Sequence, residues 1–195
     1  MKAYYDARAP EYDEWYEGLG RFEGLDRPQW DEELNELQGV LAGLPVARTL
    51  DVACGTGFLT QHLPGEITGL DASEAMLEIA RARVPEGTFV RGDGLALPFP
   101  DDSFERVFTG HFYGHLEEAD RLRFLVEARR VARQIVIADA ARRPDRNEIE
   151  WQERILNDGS GWHVFKRYFS PSVLKSELGG GKLLHSGRWF VVVAA

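Results

Sequence analysis

One cysteine, Cys54, is the only thiol in this 195-residue chain. No disulfide framework is available, and such usage fits a reducing cytoplasm. Long apolar runs are missing as well. The longest, Trp189 to Ala195, falls far short of the roughly 20 residues a membrane span needs. The opening residues MKAYYDARAPEYDEWY are polar and aromatic, without an apolar signal core, so export is not expected. Positive charge is in deficit: 23 Lys and Arg face 32 Asp and Glu, a formal net charge of −9. That field repels nucleic acid, and no nucleic-acid partner is expected. Repeats, low-complexity segments and long linkers are absent, which predicts one domain over 1–195. The spacings HxH, CxxC and HExxH do not occur, and no metal is expected. What remains, 44% hydrophobic and 28% charged, is the composition of a globular chain long enough to bury a core.

Helical periodicity alternates with short β-branched runs, which predicts a mostly parallel sheet wrapped by helices. Trp30, Leu34, Leu37 and Leu41 form one stripe of a helix over 28–42 opened by Pro28. Strands are expected at 48–53, 66–70, 88–91, 104–109 and 134–138. A short helix ending at Pro64 follows the first strand. Ser73 caps a helix that turns Met76, Ile79 and Ala80 inward, and a helix over 120–132 presents Leu122, Leu125 and Val126 to the sheet. The rhythm breaks after Asp139, where 141–169 reads as an insertion with a helix around 147–156. Ser170-Pro171 starts another helix, and 182–194 closes as an antiparallel hairpin around Ser186-Gly187.

The chemistry concentrates in DVACGTG at 51–57, where a strand runs into a Gly-rich turn. Gly55 and Gly57 allow tight turning and close backbone approach to a ligand at the carboxyl end of that strand. Strand–helix joints also use such turns with nothing bound. Asp71 follows Asp51 by 20 residues, the offset from which a carboxylate takes two ribose hydroxyls. A dinucleotide fingerprint wants a small residue at position 60, which here is Thr. Asp51, four positions before Gly55, would repel a pyrophosphate and attract a cationic amino group. The pattern favours S-adenosylmethionine over NAD.

These residues, together with GLDASEAML at 69–77, RGDGLALPFPDDSFERV at 91–107 and FTGHFYGHL at 108–116, resemble the class I S-adenosylmethionine-dependent methyltransferases. The likeness is greatest to the small-molecule "type 11" group, which includes the ubiquinone and menaquinone biosynthesis enzymes, and covers about 45–140. It implies an α/β, Rossmann-like doubly wound seven-stranded sheet with the last strand antiparallel. Residues 1–44 would form a lid and helix, 141–169 an acceptor-side insertion, and 170–195 a helix and hairpin. The resemblance further implies that Ala53, Cys54, Gly55, Thr56 and Gly57 wrap the methionine part while Asp51 steadies its amino end. Asp71 takes the ribose, Ala72 and Met76 line the adenine, Asp93 accepts from its amine, and Gly94 and Leu95 close the ring site. Thr109 and Gly110 sit by the sulfonium, and Tyr5, Arg8 and Tyr12 come from the lid.

Methyl transfer from a sulfonium asks mainly for alignment and exclusion of water. A base is needed only for a protonated acceptor, and His111 and His115 are the candidates. Tyr16, Phe112, Tyr113, Trp162, His163 and Arg167 are expected on the acceptor side. Their mixture of flat walls and cations suits an aromatic or anionic small molecule. No Asn/Asp-Pro-Pro-aromatic step follows the fourth strand, unlike amino-directed nucleic-acid methyltransferases. A module that binds S-adenosylmethionine without turnover, or non-methyl chemistry on the same cradle, remains the alternative.

Overall fold

The computed structural model describes residues 2–195. Two short helices, α1 (Lys2–Arg8) and α2 (Glu14–Glu17), form an N-terminal cover before the first long helix, α3 (Trp30–Ala42). Then follow β1 (Ala47–Val52), β2 (Gly65–Asp71), α4 (Glu74–Arg83), β3 (Thr88–Arg91), β4 (Phe104–Gly110), α5 (Glu118–Val131) and β5 (Ala132–Ala140). A hairpin of β6 (Ile149–Ile155) and β7 (Gly161–Arg167) leads to α6 (Pro171–Glu177), β8 (Lys182–Ser186) and β9 (Phe190–Ala194).

Seven strands form one sheet in the order β3-β2-β1-β4-β5-β9-β8. Strands β1 to β5 pair in parallel, and β9 runs antiparallel between β5 and β8. Period-two alternation explains why β5 sits deep. Ile135 and Ile137 enter the core shared with Leu50, Val107 and Phe124, while Val136 and Ala138 enter the one shared with Leu37, Leu41 and Phe108. Strand order reverses between β1 and β4, and the loops leaving their carboxyl ends bound the crevice where doubly wound sheets take ligands. Among the described residues, no helix is long and apolar enough to cross a membrane.

Local physics moves several expected elements. Residues 147–156 hold strand β6, not a helix: exposure alternates residue by residue along it, and Gly159 at φ 85° turns the chain back into β7. After β1 there is only a 3₁₀ turn, Thr60–His62. Helix α5 buries Arg121, Phe124, Leu125, Ala128 and Val131; Leu122 and Val126 fall on its outer side and are 61% and 65% exposed. In α4, Leu77 is buried beside Met76 and Ala80, and Ile79 is only half-buried. Helix α3 starts at Trp30, after a left-handed Gln29, so Pro28 precedes it.

One carboxylate fastens the C-terminal hairpin to α3. The backbone N–H groups of Trp189, Phe190 and Arg188 donate to Glu33 at 2.8, 2.7 and 2.9 Å. Glu33→Ala leaves these donors without their acceptor, and each buried unsatisfied group costs about 1–3 kcal/mol. The variant should lose about 3 kcal/mol of stability, since water reaches part of the turn. Urea denaturation checks this, with a lowered midpoint at unchanged slope as the expected result.

Candidate active site

Two cavities adjoin at the carboxyl ends of β1, β4 and β5. The first, about 570 Å³, is bordered by the loops after β1, β2, β3 and β4, by α1 and by part of the β6–β7 hairpin. The second, about 840 Å³, lies between the N-terminal cover, the hairpin and the segment after β5. Tyr4, Tyr5, Tyr12, His111, His115 and Trp151 border both, forming a shared wall.

The first cavity is acidic: Asp71, Asp93, Glu117 and Asp120 face it against Lys2 alone among Lys and Arg. Ala53, Gly55, Ala72, Met76, Gly94, Leu95, Gly110 and Phe112 also line it. Asp71 is held in place by backbone: Gly55 N–H donates to Oδ2 at 3.0 Å and Ser73 N–H to Oδ1 at 2.8 Å. Each oxygen retains acceptor capacity. Burial pushes its carboxyl above the usual range, with those N–H groups opposing. Asp51 lies just behind the loop, 2% exposed. Thr60 Oγ1 donates to its Oδ2 at 2.6 Å, while Oδ1 has no hydrogen-bond partner. Burial pushes this carboxyl up to about 7, with the Thr60 hydroxyl opposing. A buried, half-satisfied carboxylate beside a Gly-rich loop fits the cationic amino end of S-adenosylmethionine.

Several residues expected in this cavity stand outside it. Thr109 Oγ1 donates to Val52 O at 2.7 Å, within the sheet. Thr56 Oγ1 donates to Asp13 at 2.6 Å, and Arg83 donates to Asp13 at 2.6 Å, so Thr56 secures the cover. Cys54 is buried, and burial pushes its thiol well up. Gly57, at φ 77°, has α4 against it: a Cβ there would lie 3.3 Å from the Ala80 backbone.

The second cavity carries the opposite charge. Eight Arg and Lys side chains border it against five Asp and Glu, in a chain whose net charge is −9. Among them Lys166 is 5% exposed, and its Nζ donates to Asp139 Oδ1 at 2.7 Å. Gly114 and Ala140 N–H donate to the same carboxylate at 2.8 and 2.7 Å. Burial alone would push Asp139 up, but Lys166, His111 and the Gly114 N–H hold it below the usual range. Arg154 donates to the Tyr4 hydroxyl at 3.2 Å, and Arg8 also donates to it.

The fold disfavours the protonated form of both loop histidines. Burial pulls His111 down to about 4, with Asp139 opposing and Lys166 and Arg154 adding to the fall. Burial and the same two cations pull His115 well below its ordinary range, and its Nδ1 lies 2.7 Å from Phe165 O. His111 sits at φ 58°, and its buried Nε2 has no partner.

On the expected acceptor side, Trp162, His163 and Phe112 border the first cavity, not the second. Arg8 borders the second, although expected around the cofactor. Tyr16 is buried, stacked on Phe58 at 4.0 Å between ring centroids. Tyr113 lies in the core, its hydroxyl donating to Glu177 at 2.7 Å. Arg167 pairs with Glu177 and Glu148 at 2.7 and 3.3 Å. Those three border neither cavity. His111, His115 and His163 border the first cavity together, and Arg167 does not join them. Trp15, Arg143, Trp189 and Arg188, scattered from 15 to 189, are the bordering residues that no local motif marks.

Residues 50–136 match the family model described as methyltransferase domain, Methyltransf_11. The matched segment runs from within β1 to within β5 and includes Gly55, Asp71 and Asp93. Demethylmenaquinone methyltransferase of Thermotoga maritima is 42% identical over 113 residues, 55% of this chain and 47% of the relative. The enzyme of the same name from Bacillus subtilis (strain 168) is 36% identical over 116 residues, 54% and 48% of the two chains. The chain spans about half the length of these curated relatives. Among solved structures, a DhpI–SAM–HEP complex superposes with a TM-score of 0.76 at 24% identity, covering 99% of this chain and 94% of that one. A DhpI–SAH complex gives 0.72 at 25%, covering 98% and 92%.

The depressed His111 value carries a sign. Because the fold disfavours its protonated form, its contribution to stability is complete above the unfolded value of 6.5 and is lost as pH falls toward 4. That contribution amounts to up to about 3 kcal/mol. His111→Asn, a residue that tolerates the left-handed backbone, should lose correspondingly less between pH 7 and 4. Urea denaturation of both proteins across that range measures the difference.

Proposed function

We infer that this chain is a methyltransferase that moves the methyl group of S-adenosylmethionine to a small anionic acceptor. One observation carries the reading: an acidic and a basic cavity meet at a wall of tyrosines and histidines. A sulfonium donor and an oxyanion acceptor are the pair that such a division of charge favours. The relatives' and neighbours' names support the methyl chemistry, and the parity of cofactor-loop geometry with the sequence motifs supports the donor.

S-adenosylmethionine supplies an already activated methyl group. In this reading Asp51 holds its amino end, Asp71 takes the ribose hydroxyls and Asp93 the adenine amine, against Met76 and Leu95. Lys166 and Arg154 hold the acceptor's negative charge beside the wall. Tyr5 and Tyr12, kept protonated by burial, the latter pushed up to about 12, keep water from the reacting ends. His111 and His115 enter as neutral donors or packing groups, and the acceptor arrives already ionised. In this reading neither histidine is called on as the base that a protonated acceptor would need. The rate should be flat between pH 6 and 8 as far as these imidazoles are concerned.

Incubation with S-adenosylmethionine and a panel of small carboxylates, phenolates, amines and neutral alcohols tests the reading through release of S-adenosylhomocysteine. Acidic acceptors should turn over. Asp71→Ala should weaken S-adenosylmethionine by about 1–3 kcal/mol in calorimetric titration, the scale of lost charge-assisted hydrogen bonds. Tight binding without turnover on any acceptor would instead indicate a cofactor-binding module.

A further inference from the structure

We propose that the outer end of the second cavity is a separate anion-binding subsite. Arg143, Arg146 and Arg188 build it around the Trp189 indole, and it takes a second oxyanion, a carboxylate or phosphate, at the far end of an elongated acceptor. This rests on the reading of that cavity as the acceptor site, and adds to it a length and a second charge.

Three indoles lead outward from the shared wall. The His111 and Trp15 rings are 5.0 Å apart, Trp15 and Trp30 4.8 Å, and Trp30 and Trp189 5.2 Å, all edge to face. Each indole borders the second cavity. The rings stand nearly perpendicular to one another and Trp30 is buried between the other two, so the ladder gives that side of the cavity an apolar lining for a conjugated or hydrocarbon body. At its end the chemistry changes to cation. The Arg143 guanidinium lies over the Trp189 ring at 4.2 Å and that of Arg188 at 5.7 Å. Stacking of this kind holds the guanidinium plane while leaving its edge free to bind an oxyanion by two N–H groups.

The cluster is short of negative charge. Arg143 is 12% exposed at its side chain, and the nearest carboxylate oxygen, of Asp145, lies 3.3 Å from its Nε. That Nε is buried without a hydrogen-bond acceptor. Arg146 approaches Glu150 only at 3.8 Å. The charges of all three arginines act on Asp145, which burial would push up; its own backbone N–H and then Arg143, Arg188 and Arg146 hold it below the usual range. Three guanidiniums beside two carboxylates, those of Asp145 and Glu150, leave an excess positive charge for an incoming anion.

A rod series measures the subsite. Benzoate, biphenyl-4-carboxylate and p-terphenyl-4-carboxylate are titrated calorimetrically into the protein with S-adenosylhomocysteine present, each beside its para-dicarboxylate. The second carboxylate should tighten binding at least tenfold for one of the two longer rods and not for terephthalate. That advantage should fall below threefold in Arg143→Met and in Arg188→Met, and be reduced but not abolished in Arg143→Lys, which keeps the charge without the stacked, two-pronged fork. Arg188 is exposed, so its variant keeps the test sound if Arg143→Met melts early. Lys166→Met should weaken mono- and dicarboxylate alike and leave the advantage standing. Equal affinities of the longer pairs in the unaltered protein, or an advantage that survives both methionine variants, would overturn the subsite. Failure of every rod to bind would overturn the acceptor reading beneath it. Exchange of the far carboxylate for a phosphate identifies the oxyanion by which of the two binds more tightly.

Discussion

A carboxylate with no solvent exposure is costly unless donors and a counter-charge meet it, and Asp139 at the end of β5 has both, with each oxygen hydrogen-bonded. Its donors come from three places: the Lys166 ammonium on β7, the Gly114 N–H in the turn after β4, and the Ala140 N–H of its own strand. The hairpin that follows β5 is therefore pinned to the sheet, and the turn carrying His111 and His115 is pinned to both. Gly114 has no room for a side chain there, since a Cβ would stand 2.7 Å from Asp139 and 3.0 Å from the Lys166 ammonium. Both cavities take their common wall from this junction. A second clamp on the other face works the same way: Glu177 receives the Tyr113 hydroxyl, Arg121 and Arg167.

The separation of charge grows out of that geometry. Asp71 closes β2 facing the first cavity, with Asp51 of β1 behind the loop, and the cations of the second cavity come from the cover, the hairpin, the segment after β5 and the turn before β9. A protein with excess negative charge thus maintains a positive chamber, walled by the side chains that keep the two apart. Desolvation does the rest: the same burial that raises Asp51 and the tyrosines lowers His111 and His115. At the wall the neutral forms prevail, so the fields of the two cavities are not blurred by a titrating group between them.

The cofactor side was legible because local rules govern it. Gly55 and Asp71 are placed by a strand, a turn and a helix cap, and each of those leaves a signature within a few residues. The Ser73 cap, accepting from Met76 N at 3.3 Å, is one. The second cavity depends on contacts far apart in sequence, such as Trp189 to Pro28 and Arg154 to Tyr4, 161 and 150 residues apart, which no spacing rule reports. Two misreadings had local cues. Alternation from Ile149 to Ile155 followed by Asn157-Asp158-Gly159 marks a hairpin, not a helix. In α5 the apolar pair Leu122 and Val126 drew attention from Phe124 and Ala128, whose spacing sets the buried face. Tyr113 and Arg167 were suitable in type, but strand and turn geometry aims them at Glu177.

The N-terminal cover is held at two ends. Asp13 joins it to Thr56 and Arg83 on the sheet side, and Glu11 and Glu14 join it to Asn157 at the hairpin tip. Tyr4, Tyr5 and Tyr12 are roof to both cavities at once. Neither cavity can therefore be unroofed alone: whatever lifts this segment uncovers both in a single event. What holds the roof down is one ion pair, Asp13 to Arg83, and hydrogen bonds to Thr56 and Asn157.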